Sequence, residues 1–244
     1  MKNSNSADFD LDDKVFARMA ESYDRLCDFF SLYTHRIWKN KLAKSIANTP
    51  GNNFLDIAAG TGDIALRVAL RLKKNNDITF KKNIILGDIC DQMLDIARRK
   101  ADEKDIECNF CIIDAHNLKS IPSASIDVVS ISFAMKICDR AQVLSAVHRV
   151  LKPGGKFFCL EASRIPYPWL QSLYLLYMGL CIPMIANRVT KGDRSAYNYL
   201  LKGINDFPDK SEFVKEIGTC GFKDVTATPL SLGIVALHVG IKDG

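Results

Sequence analysis

The sequence lacks the features that mark secreted and membrane-spanning proteins. Its most apolar segment runs from Trp169 to Ala186, but it contains two polar residues and is interrupted by Pro183. It therefore falls short of the roughly 20 clean apolar residues that a transmembrane helix needs. The first twelve residues carry neither a secretory pattern nor an Arg-rich amphipathic one. We expect no membrane span, a mobile tail over residues 1–12 and a cytoplasmic protein.

Long runs of one charge are also absent. The chain has 33 Lys and Arg against 28 Asp and Glu, a net charge of +5, and no long basic stripe. Nucleic acid as the main partner usually demands more positive charge, so we do not expect a nucleic-acid-binding protein. Small basic clusters occur at residues 36–44, 73–74 and 81–82. They are typical of solvated helix faces and loops or of contact with anionic lipid head groups, and the sequence leaves both open.

The sequence also lacks the second Cys-x-x-Cys motif that a four-cysteine zinc site requires. The eight cysteines are scattered through the chain. Cys108 and Cys111 form the one such motif, in a strand-like run where positions three apart face opposite sides. We therefore predict no metal site. Eight cysteines in a chain without a secretory pattern indicate a reducing compartment.

What the sequence does contain is a regular alternation of strand-like and helix-like segments. The predicted strands are Asn53–Ile57, Asn83–Gly87, Cys108–Ile113, Ile126–Ser132 and Lys156–Leu160, and the predicted helices are Asp63–Leu72, Asp91–Ala101 and Arg140–Leu151. This alternation predicts an α/β fold of the Rossmann type, in which helices cover a parallel sheet on both faces.

The two ends of the chain depart from this alternation. Residues 13–48 have the apolar periodicity of helices, and residues 164–206 are also mostly helical in pattern. A short helix and two strands close the chain, at Ser211–Ile217, Val225–Thr228 and Ile234–Gly240. We interpret residues 13–244 as one domain with residues 164–206 as a helical lid over the strand ends, because no linker separates them.

The most informative segment is the turn Gly60-Thr61-Gly62, which follows an apolar strand and leads directly into a helix. Glycines here allow unusual backbone angles and the close approach of a ligand. A dinucleotide would bring a pyrophosphate to such a turn, but Asp56 in the strand and Asp63 at the helix start favour a positively charged ligand. S-adenosylmethionine carries an ammonium and a sulfonium and no phosphate. Capping of the helix explains Asp63 equally well, whereas Asp56 has no such structural role.

Polar residues also stand at the ends of the following strands. Asp88 ends the second strand, where a carboxylate would bind a ribose diol. Asp114 and Ala115 follow the third strand, where a carboxylate would accept the exocyclic amine of adenine, and Ser132 ends the fourth. Sheets of this type bind ligands at the carboxyl ends of their strands. These positions predict a methyltransferase that uses S-adenosylmethionine, acting on a small, apolar acceptor rather than on a polymer.

Longer motifs add a resemblance to a known family. They are Val15-Phe16 with Tyr23-Asp24, Ser31-Leu32 with His35-Arg36-x-Trp38-Lys39, Leu55 to Asp63, Asp88-Ile89 with Met93-Leu94, Ile131-Ser132-Phe133, Ser195-x-Tyr197-x-Tyr199-Leu200 and Gly233 to His238. From Val15 to Lys242 the chain resembles the UbiE-type C-methyltransferases of ubiquinone and menaquinone biosynthesis. The resemblance implies a seven-stranded sheet with an antiparallel last strand and S-adenosylmethionine as cofactor. It places cofactor contacts on Thr61, Asp88, Asp114, Ala115 and Ser132.

The resemblance also implies an acceptor and a reaction. The acceptor would be a prenylated quinol, demethylmenaquinol or 2-polyprenyl-6-methoxy-1,4-benzoquinol, methylated on a ring carbon. The chain departs from the family after Phe133, where the family has Gly, an apolar residue and Arg-Asn, and this chain has Ala-Met-Lys-Ile at residues 134–137. Lys136 keeps the charge of the family arginine but not its planar fork, so the detailed mechanism is open there. Asp114 stands where the family often has Asn, a change that adenine binding tolerates.

The implied reaction needs a base. The ring carbon becomes nucleophilic once a ring hydroxyl, with a pKa near ~10, loses its proton. The candidates for the base are His35, Tyr197 and His238, with Lys136 or Arg194 as an electrostatic helper. A purely structural role is an open alternative for each of them.

The apolar segment 169–186 gains a role on this interpretation. Its large side chains would line a channel for a polyprenyl tail or touch the bilayer that holds it, and packing of a lid on the sheet explains them equally well. We therefore expect peripheral contact with membrane lipid or with a quinone-biosynthesis complex.

Three other functions stay open at this point. An NAD-dependent dehydrogenase is disfavoured by Asp56 and by the incomplete glycine fingerprint. An RNA methyltransferase would need a basic surface on which bases stack. A catalytically silent cofactor-binding or scaffold subunit of a quinone-synthesis assembly is the third, and Lys136 is the main reason to consider it.

Overall fold

The computed structural model describes residues 17, 20–74, 83–189 and 207–244, with only the backbone course for residues 181–189. Within these ranges the helices are α1 (residues 20–30), α2 (Thr34–Ala47), α3 (Asp63–Lys74), α4 (Asp91–Glu103), α5 (Arg140–Val150), α6 (Pro168–Val189) and α7 (Lys210–Thr219). The strands are β1 (Asn53–Ile57), β2 (Asn83–Asp88), β3 (Asn109–Ile112), β4 (Ile126–Ser132), β5 (Leu151–Ala162), β6 (Phe222–Leu230) and β7 (Val235–Lys242). The tail predicted for residues 1–12 lies outside the described residues.

The described strands form one seven-stranded sheet in the order β3-β2-β1-β4-β5-β7-β6. Strands β1 to β5 pair in parallel, and β7 runs antiparallel to both β5 and β6. This confirms the predicted Rossmann-like sheet with its antiparallel last strand. The chain order reverses between β1 and β4, and sheets of this kind bind ligands in the crevice at that point, outside the carboxyl ends of the strands.

Both faces of the sheet are buried against helices. Because successive side chains of a strand point to opposite faces, Phe54 and Phe158 pack in a core with α2 and α3. Leu55 and Phe157 pack in a second core with α5 and α7. Burial on both faces explains why these strands read as nearly continuous apolar runs in the sequence.

The start of β5 differs from the prediction. The strand begins at Leu151 instead of Lys156, because Leu151 pairs with Ile126 before a shift in register, and the pairing resumes between Lys156 and Val128. The Pro-Gly-Gly sequence at residues 153–155 therefore lies inside an irregular strand. Sequence patterns predict a turn or loop at such residues, which explains why the predicted strand begins after them.

The N-terminal helices are separated by a turn that the prediction did not place. Residues 13–48 were predicted as helical, and the described part of that stretch contains α1 and α2 with Leu32 and Tyr33 between them at φ values of 47° and 63°. Left-handed backbone is unusual at such residues and has no signature in apolar periodicity. Residues of both helices line one cavity together with the turn after β1 and with Ser132 at the end of β4.

The predicted lid begins with α6. Residues 190–206, the rest of that lid, lie outside the described residues. In the described part of the chain, no helix combines the length and the apolar character that crossing a bilayer requires.

Candidate active site

The turn between β1 and α3 presents bare backbone to its surroundings. Ala58, Gly60 and Gly62 have φ values of 49°, 54° and 78°. A side chain on Gly62 would lie 2.9 Å from the side chains of both Ala97 and Leu86, so packing requires glycine there. A side chain on Gly60 would meet nothing within 4 Å and would occupy open space beside the turn. That space is available to a ligand that approaches the backbone closely.

A cavity of about 380 Å³ lies beside this turn. It is enclosed by the turn, the carboxyl end of β4, the two N-terminal helices and α6. Its apolar lining includes Leu26, Phe30, Trp38, Phe133, Tyr174 and Met178, and its polar lining includes His35, Lys39, Asp63, Ser132 and Lys136. The cavity can therefore hold an apolar group next to a ligand bound at the turn, with a few polar groups to orient it.

Asp88 links the end of β2 to the glycine turn. Its Oδ2 accepts a hydrogen bond of 2.7 Å from the backbone N–H of Gly60, and its Oδ1 accepts one of 2.9 Å from the N–H of Cys90. The residue is buried but does not line the cavity. The carboxylate predicted to bind ribose therefore stands directly against the turn.

Asp114 is held by a local network after β3. Its Oδ1 accepts from the backbone N–H of His116 at 2.8 Å and lies 2.7 Å from His116 Nδ1, and its Oδ2 accepts from Asn117 Nδ2 at 2.9 Å. His116 Nε2 accepts from the N–H of Asp139 at 3.0 Å, so the ring proton is on Nδ1 and is donated to Asp114. Asp114 is thus fixed in orientation, and neither it nor the half-buried Ala115 lines the cavity.

Asp56 is buried beneath the turn instead of facing the cavity. Its side chain is almost fully enclosed, and the hydroxyl of Ser130 donates to Oδ1 at 2.5 Å. Within the described ranges Oδ2 has no hydrogen-bond partner. Burial raises the pKa of Asp56 to about 7, although the Ser130 hydroxyl and the charge of Lys39 oppose the increase.

Thr61 connects the turn to α1. Its hydroxyl donates to Asp24 Oδ1 at 2.7 Å, and Asp24 Oδ2 forms an ion pair with Lys100 of α4. Lys100 Nζ also donates to the backbone carbonyl of Thr61 at 3.2 Å. Helix α1 is therefore tied to the turn by a charged network that closes one side of the cavity.

Lys136 forms a buried ion pair at the carboxyl end of β4. Its Nζ lies 3.0 Å from Glu161 Oε1, and the two side chains are 4% and 0% exposed. Nζ also donates to the carbonyl of Phe133, while Glu161 accepts from the backbone N–H groups of Lys136 (3.2 Å) and Ala162 (2.8 Å). Lys136 lines the cavity, and its ammonium is matched by one carboxylate, that of Glu161.

His35 lies on α2 against the cavity and contacts two polar residues. Its Nδ1 is 2.7 Å from the Ser31 hydroxyl, and its Nε2 is 3.7 Å from Asp28 Oδ1. Arg36 holds Asp28 through two hydrogen bonds, of 2.7 and 2.6 Å. Burial and the positive charge of Lys39 lower the pKa of His35 to about 4, so the ring is neutral at pH 7.

Lys39, one turn of α2 further on, pairs with the first residue of α3. Its Nζ lies 2.9 Å from Asp63 Oδ2, and Arg67 Nε lies 2.7 Å from Asp63 Oδ1. Burial disfavours the charged form of Lys39, but the charge and hydrogen bond of Asp63, together with contributions from Cys27 and Asp24, outweigh it and raise the pKa of the ammonium. Burial likewise opposes ionisation of Asp63, and the two cations more than compensate, so the pKa of Asp63 is lowered.

Comparison with known proteins identifies the family to which the chain belongs. The profile of the ubiE/COQ5 methyltransferase family matches residues 2–242. The chain belongs to this family. It is therefore an enzyme, a methyltransferase whose cofactor is S-adenosylmethionine, and the resemblance seen in the sequence is confirmed.

Individual relatives match along most of their length. The chain is 37% identical over 235 residues to the ubiquinone/menaquinone biosynthesis C-methyltransferase UbiE of Rickettsia bellii (strain OSU 85-389), covering 95% of this chain and 92% of the relative. It is 34% identical over 242 residues to the mitochondrial 2-methoxy-6-polyprenyl-1,4-benzoquinol methylase of Oryza sativa subsp. japonica, covering 93% of this chain and 82% of that one.

Solved structures share the fold at low identity. The CurJ carbon methyltransferase matches with a TM-score of 0.61 at 18% identity, over 84% of this chain and 54% of that one. A possible histamine N-methyltransferase from Thermotoga maritima matches with a TM-score of 0.61 at 18% identity, over 94% of this chain and 99% of that one. The chain thus spans about half the length of the CurJ protein and nearly all of the Thermotoga one.

The residues around the turn suit the family cofactor. The open space at Gly60 admits a ligand against the backbone. Asp88 places a carboxylate directly against the turn through the N–H of Gly60, which suits the positive charge of S-adenosylmethionine.

The structure separates the predicted catalytic residues. His35 and Lys136 both line the cavity, whereas Tyr197 and Arg194 lie outside the described residues. His238 does not reach the cavity, and its prediction as the base is corrected here. Its ring is fully buried on the opposite face of the sheet, edge-on to Phe213 with ring centroids 4.9 Å apart.

Several residues of the site were not predicted to be functional from the sequence, among them Asp24, Lys39 and Glu161. Asp24 and Lys39 occur within quoted family motifs, but their partners are recognisable only after folding, because Thr61 and Asp63 are 37 and 24 positions away. Glu161 had a readable signal, since it is a lone charge in the apolar run of β5. A charge in the buried part of a strand indicates a buried partner.

Proposed function

We propose that this methyltransferase acts on a ring carbon of a prenylated quinol, either demethylmenaquinol or 2-polyprenyl-6-methoxy-1,4-benzoquinol. The observation that carries the proposal is the 380 Å³ cavity, which begins at the glycine turn and is lined mainly by apolar and aromatic side chains. A strongly polar acceptor would lose its hydration there without enough partners. Two relatives support the choice, since one is named for ubiquinone and menaquinone biosynthesis and the other for methylating a polyprenyl benzoquinol.

In this proposal the cofactor contacts follow the strand ends. They are Asp56, Gly60, Thr61, Gly62, Asp88, Asp114, Ala115 and Ser132. Bound S-adenosylmethionine supplies an electrophilic methyl group on its sulfonium. Asp88 binds the ribose hydroxyls, and Asp114 accepts the adenine amine at Oδ2, which takes one hydrogen bond from the described residues and keeps further acceptor capacity. The carboxylate of Asp88 favours the positive charge of the cofactor.

His35 accepts the proton of the quinol hydroxyl in this mechanism. The Ser31 hydroxyl donates to the carbonyl of Cys27 at 2.7 Å, so it accepts from His35 Nδ1–H and leaves Nε2 unprotonated. Once Nε2 takes a proton, Asp28 at 3.7 Å stabilises the imidazolium. Ser31 is therefore a positioning residue that fixes the tautomer of the base.

Lys136 stabilises the oxygen anion that proton transfer leaves behind. A base with a pKa of about 4 is weak for a hydroxyl near ~10, and this gap of about 6 units corresponds to about 8 kcal/mol. A buried ammonium beside the acceptor reduces that cost, because an ion pair is much stronger in an apolar cavity than in water. Glu161 holds the ammonium in place behind the cavity.

Helix α6 covers the cavity and carries the contact with lipid in this proposal. Tyr174, Tyr177 and Met178 face the cavity and exclude water from the reacting groups. Leu173 and Leu176, on another side of the same helix, are exposed. We assign that exposed side to the bilayer surface from which a long-tailed quinol must be taken.

The decisive experiment compares two acceptors under reducing conditions. Methyl transfer from labelled S-adenosylmethionine is measured to short-tail analogues of demethylmenaquinol and of the methoxy-benzoquinol. We expect a C-methylated product from at least one, and the ratio of the two rates assigns the acceptor. Absence of product from both, while cofactor binding measured by calorimetry is intact, would refute the proposed acceptor class.

A further inference from the structure

We propose that Lys39 binds the carboxylate of the methionine part of S-adenosylmethionine. The inference rests on the proposed assignment of the glycine turn to this cofactor, and adds a binding residue that the strand ends do not provide. It concerns the cofactor alone and is independent of which acceptor is methylated.

The order of the strands places the methionine part at the turn. Asp114 follows β3, Asp88 ends β2 and the turn follows β1, and these three strands are neighbours in that order. With adenine at Asp114 and ribose at Asp88, the extended cofactor continues over β1, so its amino-acid end meets Gly60 and the start of α3. A site for the negatively charged end is therefore needed beside this turn.

Lys39 is the cation at that position. Its Nζ contacts Asp63 at 2.9 Å, and Asp63 directly follows Gly62. Lys39 lines the cavity together with Gly60 and Thr61, although its side chain is only 9% exposed. An ammonium has three N–H groups, and among the described residues Asp63 supplies the carboxylate within ion-pair distance of Lys39 Nζ. Capacity for a second carboxylate remains.

The local charge balance favours an anion at Lys39. The single charge of Asp63 is shared between Lys39 and Arg67, at 2.9 and 2.7 Å. Asp24 also acts on Lys39, but it is paired with Lys100. Asp56 interacts with Lys39 too, but its pKa of about 7 leaves it only partly ionised at neutral pH, so the group keeps positive charge in excess. The second buried lysine of the cavity, Lys136, is matched by the one carboxylate of Glu161. Of these two described cavity lysines, Lys39 thus belongs to the group that is not neutralised, which is the condition for binding a carboxylate.

The test removes the charge from the ligand and from the protein separately. Calorimetry measures the Kd of S-adenosylmethionine and of decarboxylated S-adenosylmethionine, which keeps the ammonium and the sulfonium, in the absence of any acceptor. We expect wild type to bind the intact cofactor about 10–100-fold more tightly, the range for one charge-assisted contact. Equal affinity of wild type for the two ligands would overturn the proposal without the need of a variant.

The variants identify the residue responsible. Lys39→Met should weaken binding of the intact cofactor about 10–100-fold and leave the decarboxylated one unchanged, so the preference disappears. Lys39→Arg should restore most of it. Lys152→Met is the matched control, because Lys152 also pairs with an aspartate, Asp127 at 2.8 Å, but does so away from the cavity.

Two other results would each overturn the inference. If Lys39→Met weakened both ligands equally, Lys39 would act on the shape of the site and not on the carboxylate. If both affinities were unchanged and only the KM for the quinol rose, Lys39 would face the acceptor. Because binding is measured without acceptor, failure of the proposed quinol chemistry would leave this test intact.

Discussion

At the residue scale, the cavity carries charge only where a partner holds it. Lys39 and Lys136 line an apolar space, and each is paired with a carboxylate at about 3 Å. An unpaired ammonium in such a place would lose its proton or destabilise the fold by several kcal/mol. Both ion pairs lie beside mainly apolar side chains, and an ion pair in such surroundings is stronger than in water.

His35 gives a prediction at the same scale. Replacing it with Gln, which cannot accept and hold a proton at neutral pH, should lower kcat about 100–10,000-fold with a smaller effect on the Kd of the cofactor. Ser31→Ala should lower kcat less, because it frees the ring tautomer without removing the base. The measurement is methyl transfer under saturating cofactor, together with its pH profile.

The pH profile separates a catalytic role of His35 from a structural one. Since the pKa of His35 is lowered to about 4, wild-type activity should persist well below pH 6.5 and fall only as the ring becomes protonated. Lys41→Ala, an exposed change on the same helix, serves as the control and should behave as wild type. Full activity of His35→Gln would rule out His35 as the base.

At the scale of elements, α6 presents two different sides. Tyr174, Tyr177 and Met178 face the cavity. The residues of the exposed stripe are Trp169, Leu173, Leu176 and Leu180, which are 56–69% exposed. Their spacing of four, three and four positions puts them on one face of the helix. An exposed apolar stripe on a helix that also covers an apolar cavity suits a surface that receives a substrate from lipid.

This stripe predicts binding to vesicles. Wild type should float with phosphatidylglycerol vesicles, and Leu176→Asp should reduce the bound fraction about tenfold, because burying one leucine contributes roughly 1.5–3 kcal/mol. Activity on long-tail quinol should fall in parallel, while activity on a short-tail analogue should not. Ile112→Asp, at an equally exposed apolar residue on β3 at the sheet edge, is the control. Unchanged flotation and long-tail activity of Leu176→Asp would exclude α6 as the lipid contact.

At the scale of the whole molecule, the order of strands and helices was easier to predict from the sequence than the contacts between them. The strand ends at Asp88 and Ser132 were correctly located, because apolar runs and turns have a local signature. The pairing of Lys136 with Glu161 joins residues 25 positions apart and depends on β4 lying beside β5. No pattern within a single element contains that information.

The spacing of residues along β7 shows why the prediction of His238 as the base is wrong. Val235 lines the cavity, and His238 follows it by three positions along β7. An odd separation along a strand places two side chains on opposite faces, so His238 had to point away from the cavity once β7 was recognised. The motif Gly233 to His238 therefore contains a residue that lines the cavity, Val235, and a residue buried in the core, His238.

The burial of His238 makes the stability of the molecule depend on pH. Burial lowers its pKa from 6.5 to about 4, although contacts with the backbone at Lys210 and Cys159 oppose the decrease. Between these two pH values the unfolded chain binds a proton that the folded chain does not. The contribution of His238 to stability is therefore fully present above pH 6.5 and is lost as the pH falls towards 4, up to about 3 kcal/mol. Asp56 acts in the opposite direction, since its pKa is raised to about 7.

Comparison with a variant isolates the effect of His238. His238→Leu has a similar volume and no titrating group, so its free energy of unfolding should exceed that of wild type by an amount that grows as the pH is lowered from 6.5 to 4, measured by chemical denaturation. Val147→Ala, a change in the same core, should instead lower stability by a constant amount across this range. Because His238 faces away from the cavity, His238→Leu should keep its methyl-transfer activity at pH 7. A stability difference that does not change with pH would contradict the lowered pKa of His238 in the folded protein. Loss of activity in a variant of intact stability would show that His238 takes part in the reaction.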